Sequence, residues 1–356
     1  MTRLLRTLVA IAVLAGLVGA AVVFFGLYNT SARSGHWQAT NWVLHTTFRN
    51  SVRLRAPKAA DAPPLTGDMA ELGARHYDTA CRMCHAAPGA EASATIERMV
   101  PVPPPVARAV AHWEPPQLHW IVHEGVKMSG MPGWPAERAD EVWAVVAFLD
   151  RVPGMTEADY AALTARPGPP PETAEEAAFA YCASCHGTEG RPGNAAIPRL
   201  DILGADYLAR AVEDYRSGRR PSGIMQQALS VVPEEVLPAV LARFAAVPPV
   251  GAAAEPGPGA DRGAALARAE TGNPEVPACV ACHGPVPEGL PAPPPGVPRI
   301  AGQSPDYLES QLRLWRDGWR GGGPRAGLMR QAAQGLNDDQ IADLADWFAS
   351  LDPAPR

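Results

Sequence analysis

The chain has 356 residues, which suits two or three domains, and its formal net charge is −6. An acidic balance of this kind argues against nucleic acid as a partner. The 39 prolines and 33 glycines favour short helices separated by stiff loops over a large sheet.

The first predicted element is an apolar helix at the N-terminus. Residues 8–28 carry no charge, and as a helix this run would be about 31 Å long, close to the thickness of the bilayer hydrocarbon. We interpret residues 1–29 as an uncleaved transmembrane anchor, and a signal peptide cleaved after Ala20 is the alternative. Arg3 and Arg6 before the run favour a cytoplasmic N-terminus and a body outside the cytoplasm.

Residues 30–65 form a predicted juxtamembrane segment. Within it Trp42, Phe48 and Leu54 are interspersed with Arg49 and Arg53. This pattern predicts an amphipathic helix over 36–56. The helix could lie at the membrane surface or pack on the first globular domain.

Three pentapeptides share the pattern Cys-x-x-Cys-His and contain all six cysteines: CRMCH at 81–85, CASCH at 182–186 and CVACH at 279–283. Two thiols at this separation suit thioether bonds to one haem, and the following histidine suits the proximal iron position. A structural zinc site usually takes its four ligands from two Cys-x-x-Cys pairs, and three equivalent pairs cannot be grouped two by two. A thioredoxin-like redox pair would need a βαβ pattern, which the sequence lacks. The motifs therefore predict three covalently attached haem c groups, on Cys81 and Cys84, Cys182 and Cys185, and Cys279 and Cys282, with His85, His186 and His283 as iron ligands.

The motifs lie at intervals of about a hundred residues, which indicates an internal repeat. Proline-rich stretches at 166–172 and 247–260 fall between the repeats and predict semi-rigid linkers. We therefore expect three domains, at 66–165, 172–247 and 258–354.

Each repeat ends in a predicted helix. Residues 142–149 and 341–351 place apolar side chains on one helical face. Asn337 and Gln340 predict a capping box. In the second repeat, Pro238 should kink the last helix or delay its start.

Methionines are the candidates for the sixth iron ligand. Met225 is the only methionine between His186 and Cys279, Met329 is the only one after His283, and neither stretch contains another histidine. In the first repeat we favour Met131, and Met128 is the alternative. Three histidines of that repeat are interpreted as surface or packing residues: His112, His119 and His123.

At these motifs the sequence resembles class I cytochrome c domains. The second and third repeats resemble the tandem di-haem cytochromes c4, above all at PRIAGQSPDYLESQL and LNDDQIADLADWFASL. The first resembles membrane-anchored mono-haem cytochromes through CRMCH, GMPGW and DEVWAVVAFL. The resemblance implies an all-α fold, with an N-terminal transmembrane helix followed by three haem domains. It also implies a loop proline whose carbonyl accepts the ring N–H of the proximal histidine. Pro198 and Pro298 lie at the matching positions of the second and third repeats. In the first repeat, PVPPP at 101–105 leaves open which proline has this role.

Histidine–methionine ligation would fill both axial positions and raise the reduction potential. The favoured function is therefore a single-pass electron carrier of the bacterial inner membrane, with its haem domains in the periplasm. Its expected partners are a quinol-oxidising complex, a dehydrogenase or a terminal oxidase. The alternative is the cytochrome subunit of a membrane-bound dehydrogenase complex, and a catalytic haem enzyme is disfavoured. Arg220 and Arg320 either neutralise haem propionates or belong to a solvated basic face or partner-docking patch.

Overall fold

The computed structural model describes residues 2–127, 129–270, 276–284, 294 and 296–353. Throughout these ranges the regular structure is helical, and no described residue belongs to a β-strand. The all-α class expected from the sequence is confirmed.

Two helices precede the first haem motif, α1 (Thr2–Phe24) and α2 (Gln38–Arg55). Helix α1 has a mean hydropathy of 2.6 over its most apolar window, and none of that window is buried. Its length and composition suit a membrane span, and a signal sequence would have the same properties. Helix α2 packs on the helices around the first motif, because the Phe48 ring meets the Trp113 ring at 5.6 Å and Val52 is buried. Trp42 and Leu54 remain exposed.

The other helices surround the three motifs in turn. Around the first are α3 (Gly67–Ala80), α4 (Arg82–His85), α5 (Val106–Val110), α6 (Pro115–Glu124), α7 (Val142–Leu149) and α8 (Glu157–Thr164). Around the second are α9 (Ala174–His186), α10 (Ala205–Arg216), α11 (Gly223–Val231) and α12 (Leu237–Ala246). Around the third are α13 (Ala260–Ala267), α14 (Val280–His283), α15 (Pro305–Arg316), α16 (Ala326–Gln334) and α17 (Asp338–Ala349).

Buried apolar side chains form three separate clusters, one beside each motif. In the first cluster α3 crosses α7 so closely that a Cβ at Gly73 would lie 2.0 Å from the carbonyl oxygen of Ala144. The third cluster repeats this crossing, with Gly263 of α13 against the carbonyl oxygen of Asp343 in α17. In the second, the rings of Phe179 and Phe244 pack 5.0 Å apart between α9 and α12.

Helix α7 corrects one expectation. The sequence pattern predicted a single apolar face over 142–149, but all eight residues of the helix are buried. The reason is that α7 contacts both α3 and α6, so more than one of its faces lies against protein.

Two predicted helix ends are confirmed. The Gln340 backbone N–H donates to Asn337 Oδ1 at 2.9 Å, and the Asn337 N–H donates to Gln340 Oε1 at 3.0 Å, which completes the capping box of α17. Helix α12 starts at Leu237, with Pro238 in its first turn. Proline is tolerated there because a first-turn N–H has no partner within the helix.

The helices around the first, second and third motifs form three regions of the molecule. These regions contact one another in chain order. Asn194 of the second region donates to the carbonyl oxygen of Asp68 in α3 at 2.8 Å. Arg199 of the second region donates to the carbonyl oxygen of Gly302 in the third at 2.9 Å. The second region therefore contacts both of the others.

Candidate haem sites

Each of the three motif histidines makes the same kind of hydrogen bond, from its ring Nδ1 to the carbonyl oxygen of a proline. The distances are 2.8 Å for His85 to Pro104, 3.2 Å for His186 to Pro198 and 3.0 Å for His283 to Pro298. A carbonyl oxygen only accepts hydrogen bonds, so each Nδ1 must carry the ring proton. Each Nε2 is left with a free lone pair, the form in which imidazole binds a metal.

These contacts confirm the expectation for Pro198 and Pro298. They also resolve the open choice within residues 101–105, because Pro104 is the proline that accepts from His85. Burial lowers the pKa of both His186 and His283, which keeps the two rings neutral near pH 7.

The cysteines of each motif lie on or beside the helical turn that carries the histidine. No disulfide joins any of the six, and burial raises the pKa of Cys81 to about 12 and those of Cys182 and Cys279 to about 11. Burial disfavours the thiolate form at these three positions, unlike the settings that activate redox-active Cys-x-x-Cys pairs. Across the part of the chain that the structure describes, no group of three or more His, Cys, Asp and Glu side chains is placed to hold a metal ion.

A cavity of about 920 Å³ lies beside the second motif, with Cys182, Cys185, His186 and Met225 in its walls. Its volume is at the upper end of the usual range for cofactor pockets. The wall is mostly apolar and includes Leu208, Leu229 and Phe244, together with residues of α3 and α15. An apolar pocket with two thiols at one edge and an unprotonated imidazole nitrogen fits a covalently attached haem.

The candidate methionines lie in different settings. Met225 is in the first turn of α11 and packs on the second cluster, and Met329 is in α16 and packs on the third cluster together with Cys279. Met131 lies in a loop, where its N–H donates to Ser129 Oγ at 3.1 Å and its carbonyl accepts from Val126 at 3.1 Å. Met128 lies outside the described residues.

The three histidines expected to be packing or surface residues have these settings. His119 is buried, its Nε2 lies 2.7 Å from the carbonyl oxygen of Ala139, and its ring lies 4.3 Å from that of Trp143. His112 is exposed, and His123 contacts the carboxylate of Glu124 at 2.7 Å.

One histidine that no sequence pattern singled out also reaches the cavity. His76 of α3 is buried and lines the pocket of the second motif. Burial lowers its pKa to about 4. Sequence spacing could not identify it, because it approaches that pocket from the first region.

Arg220 and Arg320 form reciprocal contacts between the second and third regions. Arg220 is buried and donates to the hydroxyl of Tyr307 at 2.7 Å, while Arg320 reaches the hydroxyl of Tyr207 at 3.5 Å. These tyrosines and arginines occupy matching positions of the two repeats, so the contacts have approximate two-fold symmetry. The solvated-surface interpretation is therefore wrong for Arg220, because its head group is enclosed between the regions. Neutralisation of a propionate stays a prediction.

A helical fold with repeated Cys-x-x-Cys-His turns, proline-oriented histidines and an apolar pocket defines a c-type cytochrome. Residues 68–149 match the family model "Cytochrome C oxidase, cbb3-type, subunit III", and residues 260–352 match "Cytochrome c". The "Thiosulfate dehydrogenase electron acceptor" of Stutzerimonas stutzeri is 38% identical over 175 residues, or 48% of this chain and 78% of that protein. "Cytochrome c4" of Thiocapsa roseopersicina is 32% identical over 183 residues, or 51% and 92%.

Among solved structures, reduced cytochrome c4 from Pseudomonas stutzeri is 27% identical, with a TM-score of 0.44 over 50% of this chain and 98% of that one. From the sequence relatives, the chain belongs to the cytochrome c family and has di-haem cytochromes c4 among its homologues. Its cofactor is covalently bound haem c with its iron, and its chemistry is electron transfer.

Proposed function

We propose that the chain is a membrane-anchored, tri-haem cytochrome c that passes single electrons between respiratory partners in the bacterial periplasm. The observation that carries this proposal is the threefold repetition of one turn. At each motif the histidine Nδ1 is bonded to a proline carbonyl, and each motif lies beside its own apolar cluster. A single-haem protein would not need the same ring orientation three times.

The proposed site follows the motifs. Haem c supplies one-electron exchange, and the chain holds it, orients its ligands and shields it from water. Co-location of Met225 with His186 in one cavity, and of Met329 with Cys279 in one cluster, supports methionine as the distal ligand. The thioethers are assigned to Cys81, Cys84, Cys182, Cys185, Cys279 and Cys282, and the axial positions to His85 with Met131, His186 with Met225, and His283 with Met329.

The proposed organisation is an anchor at 1–29, a juxtamembrane segment at 30–65, and haem domains at 66–165, 172–247 and 258–354. The exposed, strongly apolar surface of α1 supports the anchor. With the second haem region in contact with both others, electrons would pass along the three haems in chain order.

Two measurements on the purified full-length protein test this function. The haem-to-protein ratio from a pyridine haemochrome assay should be three. The reduced visible spectrum should not change under carbon monoxide, because both axial positions of each iron are filled. A ratio of two would remove the tri-haem proposal. Carbon monoxide binding would show an open iron and favour a catalytic haem enzyme instead.

A second candidate is the electron-accepting subunit of a dehydrogenase complex. It is favoured by the relatives named thiosulfate dehydrogenase electron acceptor, from Stutzerimonas stutzeri and Thiomonas intermedia. Thiosulfate and catalytic amounts of a thiosulfate dehydrogenase should then reduce the purified cytochrome. Stable co-purification with a large catalytic subunit would favour this candidate over a free carrier. Failure of both tests would favour the carrier.

A further inference from the structure

A carboxylate from the first haem region caps a helix of the second. Glu141 precedes α7, and its side chain accepts hydrogen bonds at the start of α11. Ser222 Oγ donates to Oε1 at 2.5 Å, and the backbone N–H groups of Gly223 and Ile224 donate to Oε2 at 2.7 and 3.4 Å. Met225 is the next residue of this helix, and its own N–H donates to Ser222 Oγ at 3.2 Å. Glu141 therefore completes the cap of the helix that carries Met225.

Arg138 fixes the position of this carboxylate. Its Nη1 lies 3.0 Å from Glu141 Oε1, and both side chains are only 9% exposed. Arg138 also lies 3.5 Å from the carbonyl oxygen of Pro221, at the entry to the same helix. A buried, hydrogen-bonded charge pair of this kind holds its groups in one geometry, because separating them leaves an unpaired charge away from water.

Trp134 adds a rigid wall at the same place. A Cβ at Gly223 would lie 2.1 Å from Trp134 Nε1, so the indole occupies the space that any larger residue would need. The Trp134 ring packs at 4.7 Å on the ring of His76 in α3. The first turn of α11 is thus held by packing as well as by hydrogen bonds, and both come from the first region.

The matching helix of the third region is held differently. Helix α16 carries Met329, and its N-cap residue, Arg325, makes no side-chain cap. The two repeats are similar in sequence around these helices, but a carboxylate cap from the first region is seen at α11. At the second motif, the helix that carries the proposed distal ligand therefore depends on the first region for its cap.

We propose that Glu141 is a positioning residue for Met225, so that the first region sets the reduction potential of the second haem. The cap fixes the first turn of α11, and it would thereby position the Met225 side chain toward a haem held by Cys182, Cys185 and His186. This inference rests on Met225 being the distal ligand, as proposed above.

Removing the charge of Glu141 could change the reduction potential of the second haem in two ways, and the two changes have opposite signs. A nearby carboxylate stabilises the more positive ferric state, so its field alone lowers the potential, and its loss would raise it. Methionine ligation raises the potential, so a loosened Met225 would lower it. The direction of the shift therefore separates positioning from a simple field effect.

The test is a redox titration of the full-length tri-haem protein, with the methionine–iron charge-transfer band followed in the oxidised state. Met225→Ala identifies which of the three haems is the second. Glu141→Gln should lower the potential of that haem and weaken its band, with the other two unchanged. Ser222→Ala removes part of the cap without changing charge, and it should shift the same haem in the same direction. Asp140→Asn is the matched control, because Asp140 also pairs with Arg138 but is not a partner of Ser222, Gly223 or Ile224.

A rise in potential with the band intact would replace positioning by a field effect and overturn the inference. Equal shifts of all three haems, or no shift in both Glu141→Gln and Ser222→Ala, would also overturn it. If Met225→Ala leaves every potential unchanged and no haem gains carbon monoxide binding, Met225 is not a ligand. That outcome removes the inference together with the ligand assignment, and it is distinguishable from failure of the cap alone.

Discussion

The backbone N–H of Arg199 donates to Gln303 Oε1 at 2.8 Å, and Gln303 Nε2 donates back to the carbonyl oxygen of Arg199 at 3.1 Å. Both residues are buried. The Arg199 guanidinium lies 2.6 Å from Asp201 and also donates to the carbonyl oxygen of Gly302 at 2.9 Å. This closed network joins the second and third haem regions, and every bond in it lies away from water.

Gln303→Leu should weaken this junction. It leaves the Arg199 N–H and carbonyl buried without their partner, and each unsatisfied group costs about 1–3 kcal/mol. We expect a lower urea midpoint and faster protease cleavage within residues 247–260, which connect the two regions. Gln334→Leu is the control, because Gln334 is exposed at the end of α16. Equal midpoints for the two variants would contradict a structural role for the Gln303 bonds.

The same network shows why sequence reasoning succeeded locally and stopped at the contacts between regions. The haem motifs, the capping box and the late start of α12 each depend on residues a few positions apart. Asp201 and Gln303, by contrast, stand where the other repeat has Ala301 and Leu203. When residues 198–220 are compared with residues 298–320, these positions simply differ between the two repeats. In the structure both residues bond to Arg199, and no local pattern could predict that.

Glu141 and His76 illustrate the same limit. Glu141 lies about eighty residues before Ser222, and nothing in its neighbourhood marks it as a helix cap for another region. His76 reaches the pocket of the second motif from the first region. The iron ligands and the domain boundaries follow from sequence reasoning and stay predictions.

Loss of a distal methionine should open one iron. Met329→Ala should let one of three haems bind carbon monoxide in the reduced state, and the potential of that haem should fall because thioether ligation favours ferrous iron. Met155→Ala is the control, because Met155 is a half-buried packing residue of the first cluster. Carbon monoxide difference spectra and a redox titration provide the readout. A Met329→Ala protein that stays insensitive to carbon monoxide would remove Met329 from the ligand set.

His76 should make stability depend on pH. Its ordinary pKa is 6.5, and burial lowers it to about 4 in the folded protein. Between these values the unfolded chain binds the proton and the folded one does not, so stability falls as pH decreases from 6.5 to 4. At 1.36 kcal/mol per pKa unit, the loss reaches about 3 kcal/mol near pH 4.

Thermal or urea unfolding of the holoprotein between pH 4 and 7 measures this dependence. His76→Phe keeps an aromatic ring in the pocket and should flatten the slope. His112→Gln should keep it, because His112 is exposed. A His76→Phe protein with the full wild-type slope would show that other groups cause the acid sensitivity.

The apolar N-terminal helix should hold the protein in the membrane. Wild-type protein should stay with membranes through an alkaline carbonate wash and be released by detergent, because α1 is a 23-residue apolar helix with no buried residue. Replacing residues 1–28 by a cleavable secretion signal should give a soluble periplasmic protein with the same haem-to-protein ratio. We expect the ratio to be unchanged because no residue of α1 is buried against the rest of the chain.

The N-terminal mass of the wild-type protein separates an anchor from a cleaved signal. An intact α1 supports the anchor, whereas a mature chain beginning after Ala20 would leave too short an apolar run to span the bilayer. In that case Trp42 and Leu54, exposed on α2, would be the remaining apolar contacts for a membrane surface. Binding through them would be weak and released by carbonate, since an interfacial helix is held far less tightly than a spanning one. Resistance to carbonate and an uncleaved N-terminus should therefore occur together or fail together.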